Sequence, residues 1–347
     1  MLTKIFDEKQ VQKLETYINK GETFVIVTHI SPDGDAIGSS LGLYHYLTSL
    51  GNTVNVVVPN DFPSFLKWMP EAGNILMYDR HPDFAERVIR EADVIFCLDF
   101  NESKRIGKLA SFVEAADARK VMIDHHPNPS DFCRLIFSYP DISSTSELVF
   151  RLICALKAAD AIHKEAAECI YTGMMTDTGA FTFHSNDPDL YIIVRELLRS
   201  GVDKDLIYRK VYQVYSESRL RLMGYTLHEK MKTYPNEKAA LITLTLNELN
   251  RFGYVPGDTE GFVNLPLSIE WVQFVAFIRE NTDGIKISLR SAGEFPCNRF
   301  ASAYFQGGGH RNASGGEYSG TLDEAVRIFE EGLKRLNPCQ YEKTGEN

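Results

Sequence analysis

Short apolar runs alternate with amphipathic stretches along the first half of the chain. FVIVT (24–28), TVNVVVP (53–59), DVIFCLDF (93–100) and KVMIDHH (120–126) read as strands, and they are apolar on both faces. Parallel strands covered by helices on both sides require that pattern. Helical spacing fills the intervals. Val11, Leu14 and Ile18 mark a helix over 7–20, and Ile37, Leu41, Tyr44 and Leu47 mark one over 36–49. Gly38 and Gly42 allow this second helix to pack closely on a sheet. Ser144 and Glu147 fit S-x-x-E, a capping box opening the helix LVFRLICAL. The alternation predicts an open, doubly wound parallel α/β sheet with its site at the carboxyl ends of the strands.

After Gly179 the pattern changes. Residues 189–233 look helical and rich in Arg, Lys and Tyr, as a connecting segment would be. A second set of strands follows. AALITLTL (239–246) is one, and the run 271–291 divides into two around Asn281-Thr282-Asp283-Gly284, a hairpin signal. The helix LDEAVRIFEEGLKRL closes this part. The expected organisation is a catalytic domain over 1–190, a helical linker over 191–235 and a smaller α/β domain with a mixed sheet over 236–340. No internal repeat or low-complexity segment is visible.

A chain of 347 residues fits two domains. Lys plus Arg number 37 against 47 Asp plus Glu, a net charge of −10. That balance argues against wrapping duplex DNA, because phosphate affinity comes from excess basic charge. It leaves short anions held by metals open. Cys97, Cys133, Cys154, Cys169, Cys297 and Cys339 form no C-x-x-C, so they read as buried thiols in a reducing compartment. The N-terminal stretch lacks an apolar signal core and no run is long enough to span a membrane, so the expected location is cytoplasmic, with no membrane partner.

The chemistry gathers at the strand ends. His29, Asp33 and Asp35 follow the first run, and two Asp so close repel unless something positive lies near. The sources are an Arg or Lys, a helix N-terminus, or metal ions. Asp99 ends another run, Asp124-His125-His126 ends the next, and Asp177 lies just beyond a helix-like stretch. A parallel sheet brings the first three groups to one edge. No Lys or Arg ends a strand in a comparable place, which favours cations. Singly, each Asp reads as a cap or turn residue and the His pair as surface or core. Their recurrence at equivalent positions carries the metal reading. Carboxylates mixed with imidazoles suit Mn²⁺, Mg²⁺ or Fe²⁺. Two ions roughly 3.5–4 Å apart, sharing one Asp, would generate hydroxide at neutral pH and clamp a phosphoryl group. Hydrolysis of a phosphate ester is the expected reaction.

The motif His29-x₃-Asp33-x-Asp35-Ala36-x-Gly38-Ser39, with Asp99, the triplet Asp124-His125-His126 and Asp177-Thr178-Gly179, resembles the motifs of the DHH phosphoesterase superfamily. Gly307-Gly308-Gly309-His310 resembles the glycine-rich signature of its DHHA1 domain. The bifunctional oligoribonuclease and pAp-phosphatase (nanoRNase) family is the most similar. Two departures stand out: Gln306 where many relatives carry a further Gly, and Ser314 where Ala is frequent.

The resemblance implies one ion on His29, Asp33 and Asp99, and another on Asp35, Asp99, His125 and Asp177, with Asp99 bridging. His126 would hydrogen-bond or protonate the phosphate, and Asp124 would orient a His or a loop. Arg290, Gly307, Gly308, Gly309, His310 and Arg311 would hold the substrate on the second domain. The implied cofactors are two divalent ions, Mn²⁺ first, with Mg²⁺ or Co²⁺ as alternatives. The implied substrates are short single-stranded RNA, cut to mononucleotides, and 3′-phosphoadenosine 5′-phosphate (pAp), by a homodimer. Other branches act on linear or cyclic dinucleotides, or on pyrophosphate and polyphosphate. A nucleotide-binding regulatory module is the non-enzymatic alternative.

Overall fold

The computed structural model describes residues 2–335. Cys339 therefore lies outside the described residues. The chain divides into two compact units between Val214 and Tyr215.

The first unit is built on six parallel strands, β1 (Thr23–Val27), β2 (Thr53–Val58), β3 (Leu76–Met77), β4 (Val94–Leu98), β5 (Arg119–Asp124) and β6 (Leu135–Ser138), in the order β3-β2-β1-β4-β5-β6. The expected doubly wound parallel sheet is present. β3 and β6 were not anticipated, being too short or too interrupted by polar residues to stand out. Alternate residues of one strand enter opposite cores. Phe24 and Ile26 face the larger core, whereas Val25 and Val27 face the smaller one. The larger core is walled by α1 (Glu8–Lys20), α2 (Gly34–Ser49), α5 (Thr145–Ala155), α6 (Lys164–Asp177), α7 (Pro188–Arg199) and α8 (Lys204–Tyr212). The smaller one is walled by α3 (Pro82–Arg90) and α4 (Leu109–Ala115).

The strand order reverses between β1 and β4. Connections lead outward on either side of that point, so a crevice opens beyond the carboxyl ends of the two strands.

α2 and α6 cross at close range for a specific reason. A Cβ on Gly38 would lie 2.6 Å from the Cys169 carbonyl oxygen and 2.7 Å from the Gly173 nitrogen. Gly42 likewise faces Ile170, and Gly34 faces Thr176. These glycines therefore serve a helix–helix contact rather than the expected helix–sheet contact.

The segment expected as a linker is shared. Leu190, Ile193, Leu197, Ile207 and Val211 of α7 and α8 belong to the first unit's core. α9 (Glu217–Tyr225) contributes Leu222 to the second unit's.

The second unit carries the mixed sheet β11-β12-β10-β9-β8-β7. Its strands are β7 (Met231–Tyr234), β8 (Ala239–Leu244), β9 (Phe274–Asn281), β10 (Gly284–Ser291), β11 (Gly308–Gly309) and β12 (Ala313–Tyr318). β8 and β9 run parallel and the other neighbours antiparallel. β9 and β10 form the anticipated hairpin, Asn281 pairing with Gly284. α11 (Cys297–Tyr304) and α12 (Leu322–Arg335) cover one face with Phe300 and Phe329, joined by Phe305 just after α11. α10 (Leu246–Arg251) follows β8 directly, so that strand ends two residues earlier than its apolar run suggested. Of the cysteines, Cys97, Cys133, Cys169 and Cys297 are buried as expected, whereas Cys154, in the last turn of α5, is only half-buried.

Candidate metal centre

The acidic and imidazole groups reach the crevice from four places: the junction of β1 and α2, the end of β4, the end of β5 and the end of α6. His29 follows β1, and its Nδ1 donates to the Ile30 carbonyl at 2.9 Å. That bond leaves Nε2 facing Asp99 Oδ2 at 3.4 Å and Asp33 Oδ2 at 4.0 Å. Asp33 is the N-cap of α2, its Oδ1 accepting from the Asp35 and Ala36 N–H groups at 3.0 Å. Asp99 follows β4 in the left-handed region, φ 64°. Its Oδ1 lies 3.6 Å from His125 Nε2 and 3.7 Å from His126 Nδ1. His125 Nδ1 donates to the Ile142 carbonyl at 3.2 Å, and its Nε2 lies 3.9 Å from Asp35 Oδ2 and 3.5 Å from Asp177 Oδ2. Asp177 is the last residue of α6, at the solvent edge. Asp124, fully buried at the end of β5, accepts from His126 Nδ1 at 2.8 Å.

The structure thus brings together His29, Asp33, Asp35, Asp99, Asp124, His125, His126 and Asp177. Donor atoms of His29, Asp33 and Asp99 all lie within 4.8 Å of one another, and so do those of Asp35, His125 and Asp177. Asp99 faces both groups with different oxygens.

Helix N-termini supply part of the missing positive charge. α2 meets Asp33, and the first N–H groups of α5 meet Asp35. Thr145 N–H donates to Asp35 Oδ2 at 2.6 Å and Ser146 N–H to Oδ1 at 2.8 Å. The Arg105 guanidinium reaches the Asp99 carbonyl at 3.5 Å. The rest of the charge stays within the cluster. Burial, then Asp99 and Asp177, push the Asp35 carboxyl well above the usual carboxylate range. Although its side chain is 30% exposed, desolvation by the protein packed around it also pushes Asp177 up, to about 6, against the pull of His125. Burial opposes the charged form of His125, but Asp177, Asp99 and Asp35 lift it to about 9. Asp99 is held well below the usual range, since its hydrogen bond to His29 and the imidazoles of His126, His29 and His125 outweigh burial. Protonated imidazole here does the work of a cation. Divalent ions among these oxygens would replace those protons, so the donor set fits hard cations.

Two contacts were missed from sequence: Thr145, whose hydroxyl donates to Asp99 Oδ1 at 2.9 Å, and Ser146. The signal available was a run of hydroxyl residues, 143–146, longer than a cap needs. The expected capping box is half-formed. Ser144 accepts from Glu147 N–H at 3.1 Å, but the Glu147 carboxylate turns to Ser143 (2.6 Å) and Arg151 (2.7 Å).

In the second unit, Arg290 and the glycine run lie at one end of the sheet. Arg290 pairs with Ala313, and Gly308 and Gly309 pair with Gly315 and Ser314. Arg290 Nη1 donates to the Leu289 carbonyl at 2.9 Å. A Cβ on Gly307 would strike the Gly315 carbonyl at 1.9 Å, whereas Gly308 faces open space. His310 is half-buried in the turn after the run, its carbonyl accepting from Ala313 at 3.3 Å. The Arg311 guanidinium is paired with Glu294, donating to its carbonyl at 2.8 Å and to its carboxylate. Gln306 stands at φ 48°, a conformation that glycine adopts without strain.

A family model described as "DHH family, N-terminal domain" matches residues 23–174, and one described as "DHHA1 domain" matches 238–335. The bifunctional oligoribonuclease and PAP phosphatase NrnA of Thermus thermophilus is 31% identical over 318 residues, covering 91% of each chain. The Bacillus subtilis protein of the same name is 26% identical, over 89% of this chain and 93% of its own. A crystal structure of an exopolyphosphatase-related protein from Bacteroides fragilis superposes with a TM-score of 0.93 at 58% identity, covering 97% of this chain and 99% of that one.

Proposed function

The chain belongs to the DHH family and carries a DHHA1 domain, and on that premise we propose that it is a two-metal phosphoesterase that hydrolyses short oligoribonucleotides to mononucleotides and removes the 3′-phosphate of pAp. The observation that carries this reading is the pair of donor groups sharing Asp99. His29, Asp33 and Asp99 would hold one ion, and Asp35, Asp99, His125 and Asp177 the other. Mn²⁺ is the first candidate, with Mg²⁺ or Co²⁺ as alternatives. Bound there, two such ions would neutralise phosphoryl oxygens and acidify the attacking water.

The chain's own groups do the remaining work. Asp33 and Asp35 are held by helix N–H groups before any ligand arrives. Asp124 accepts the Nδ1 proton of His126 and fixes the ring; with a second proton on Nε2, that N–H would hydrogen-bond a phosphate oxygen or protonate the leaving group. In the second unit, the bare backbone at Gly308 admits a phosphate close to N–H groups, and the Arg290 fork suits two of its oxygens. His310 lies beside them. Arg311, paired with Glu294, acts on the loop that presents the glycines.

The relatives' names diverge between RNA and polyphosphate, and product analysis separates them. Purified protein with Mn²⁺ is given a 5′-phosphorylated diribonucleotide, a 24-mer RNA, pAp, a cyclic dinucleotide and pyrophosphate in parallel. The expected result is rapid release of mononucleotides from the dimer, slower cleavage of pAp and little else. Preferential attack on pyrophosphate or the cyclic dinucleotide overturns the substrate assignment and leaves the two-metal chemistry standing.

A further inference from the structure

Asp35 and Asp99 come from different elements, yet one residue binds both. The Thr145 N–H donates to Asp35 Oδ2 at 2.6 Å, and the Thr145 hydroxyl donates to Asp99 Oδ1 at 2.9 Å. Capping does not explain that hydroxyl. Ser144 is the N-cap of α5 and accepts the Glu147 N–H itself. Thr145 is the first helical residue and is fully buried, where a hydroxyl needs a partner.

The two oxygens of Asp99 have different tasks. Oδ2 faces His29, and Oδ1 faces His125 and His126. Rotation of a carboxylate about its last torsion is soft, so the side chain alone does not select this orientation. The bond from Thr145 to Oδ1 does, opposite the contact of Oδ2 with His29. We propose that Thr145 is a positioning residue whose hydroxyl sets the rotation of Asp99, so that one oxygen serves each of two cation sites, while its N–H fixes Asp35 for the second. The proposal rests on the two-cation reading of the site.

Thr145 is itself held in place. Ser143 Oγ donates to Glu147 Oε2 at 2.6 Å, and Arg151 Nε donates to Glu147 Oε1 at 2.7 Å. Arg151 Nη1 then donates to the Leu2 carbonyl at 3.0 Å. Glu147 and Arg151 are each 1% exposed. This buried brace anchors the 142–147 segment, which also offers the Ile142 carbonyl to His125. One short segment therefore supports His125, Asp35 and Asp99 from behind, and partners of this kind orient metal ligands.

The test uses the full chain, stripped of metal and titrated with Mn²⁺ by calorimetry, together with kcat and KM on a small artificial phosphodiester. Thr145→Val keeps the shape and the N–H but removes the hydroxyl. It is expected to bind one ion as the wild type does and the second roughly 10–100-fold more weakly, with a matching fall in kcat and little change in KM. Thr145→Ser restores the hydroxyl and is expected to behave as the wild type. Should the Val variant fail to fold by circular dichroism, Thr145→Ala gives the same readouts. Wild-type affinity at both sites in the hydroxyl-less variant overturns the proposal. So does a Ser variant as impaired as Val, which would assign the effect to methyl packing. A wild-type protein that binds fewer than two ions overturns the metal reading itself.

Discussion

Asp99 concentrates the demands of the site in one side chain. Its left-handed backbone costs a non-glycine residue on the order of 1 kcal/mol, and the fold holds it there with its N–H on the Ile123 carbonyl. Asp99→Ala is expected to remove bound metal from both sites and bring hydrolysis of every substrate to background, read by elemental analysis and turnover. Near-wild-type rates in that variant would falsify the bridging role. The candidate ligands were legible because each sits where an apolar run stops. Thr145 was not, because its partner is 46 positions away and a hydroxyl after Ser144 looks like part of a cap. Capping shows the same limit. Ser144 and Glu147 match the box by spacing, yet the Glu147 carboxylate is taken by Ser143 and Arg151. Thr245 and Glu248, hidden at the end of an apolar run, form the reciprocal box.

The crossing of α2 and α6 ties stability to chemistry. α2 begins at the Asp33 cap and carries Asp35, and α6 ends with Asp177. Gly38→Ala would drive a methyl into the α6 backbone, at an expected cost of about 1–3 kcal/mol in chemical denaturation. The same displacement separates Asp35 from Asp177, so weaker metal binding should accompany the shift in midpoint. A variant with unchanged midpoint and unchanged metal affinity would refute that coupling. In the second unit, Glu248 braces the start of α10. Burial pushes its carboxyl up, but Lys230, the Thr245 N–H and hydroxyl, and Tyr225 hold it at about 2. A depressed folded pKa contributes stability that is complete above the ordinary Glu range and is lost as pH falls toward 2. Its magnitude is on the order of 1–2 kcal/mol after allowing for partial exposure. Glu248→Gln should therefore lower thermal stability at pH 7 and narrow its gap to the wild type near pH 3, by parallel melts. A gap that stays constant between those pH values assigns the loss to packing.

The two units divide the proposed labour, and substrate size reports on that division. Arg290→Ala is expected to raise KM for a diribonucleotide roughly tenfold or more, in keeping with the loss of a charge-assisted contact, and to spare a small artificial phosphodiester. Equal loss on both substrates refutes a substrate-holding role for the second unit. The doubly wound sheet was readable because parallel strands buried on both faces leave unbroken apolar runs. The second sheet was only partly readable. β12 carries ASGGEY and β11 two glycines, segments whose strand character comes from the pairing of β12 with β10 and of β11 with β12, and not from their own propensity.

Sequence alone established the α/β class, the hairpin at Asn281–Gly284 and the set of acids and imidazoles, because periodicity and strand ends are local properties of a chain. Folding alone established the order β3-β2-β1-β4-β5-β6, which sets β1, β4 and β5 side by side and makes one centre of their loops. It also established which oxygen of Asp99 faces which imidazole, and that glycines of α2 meet α6. These depend on partners distant in sequence, and a carboxylate's rotation is fixed only by the atoms that surround it after the chain has closed.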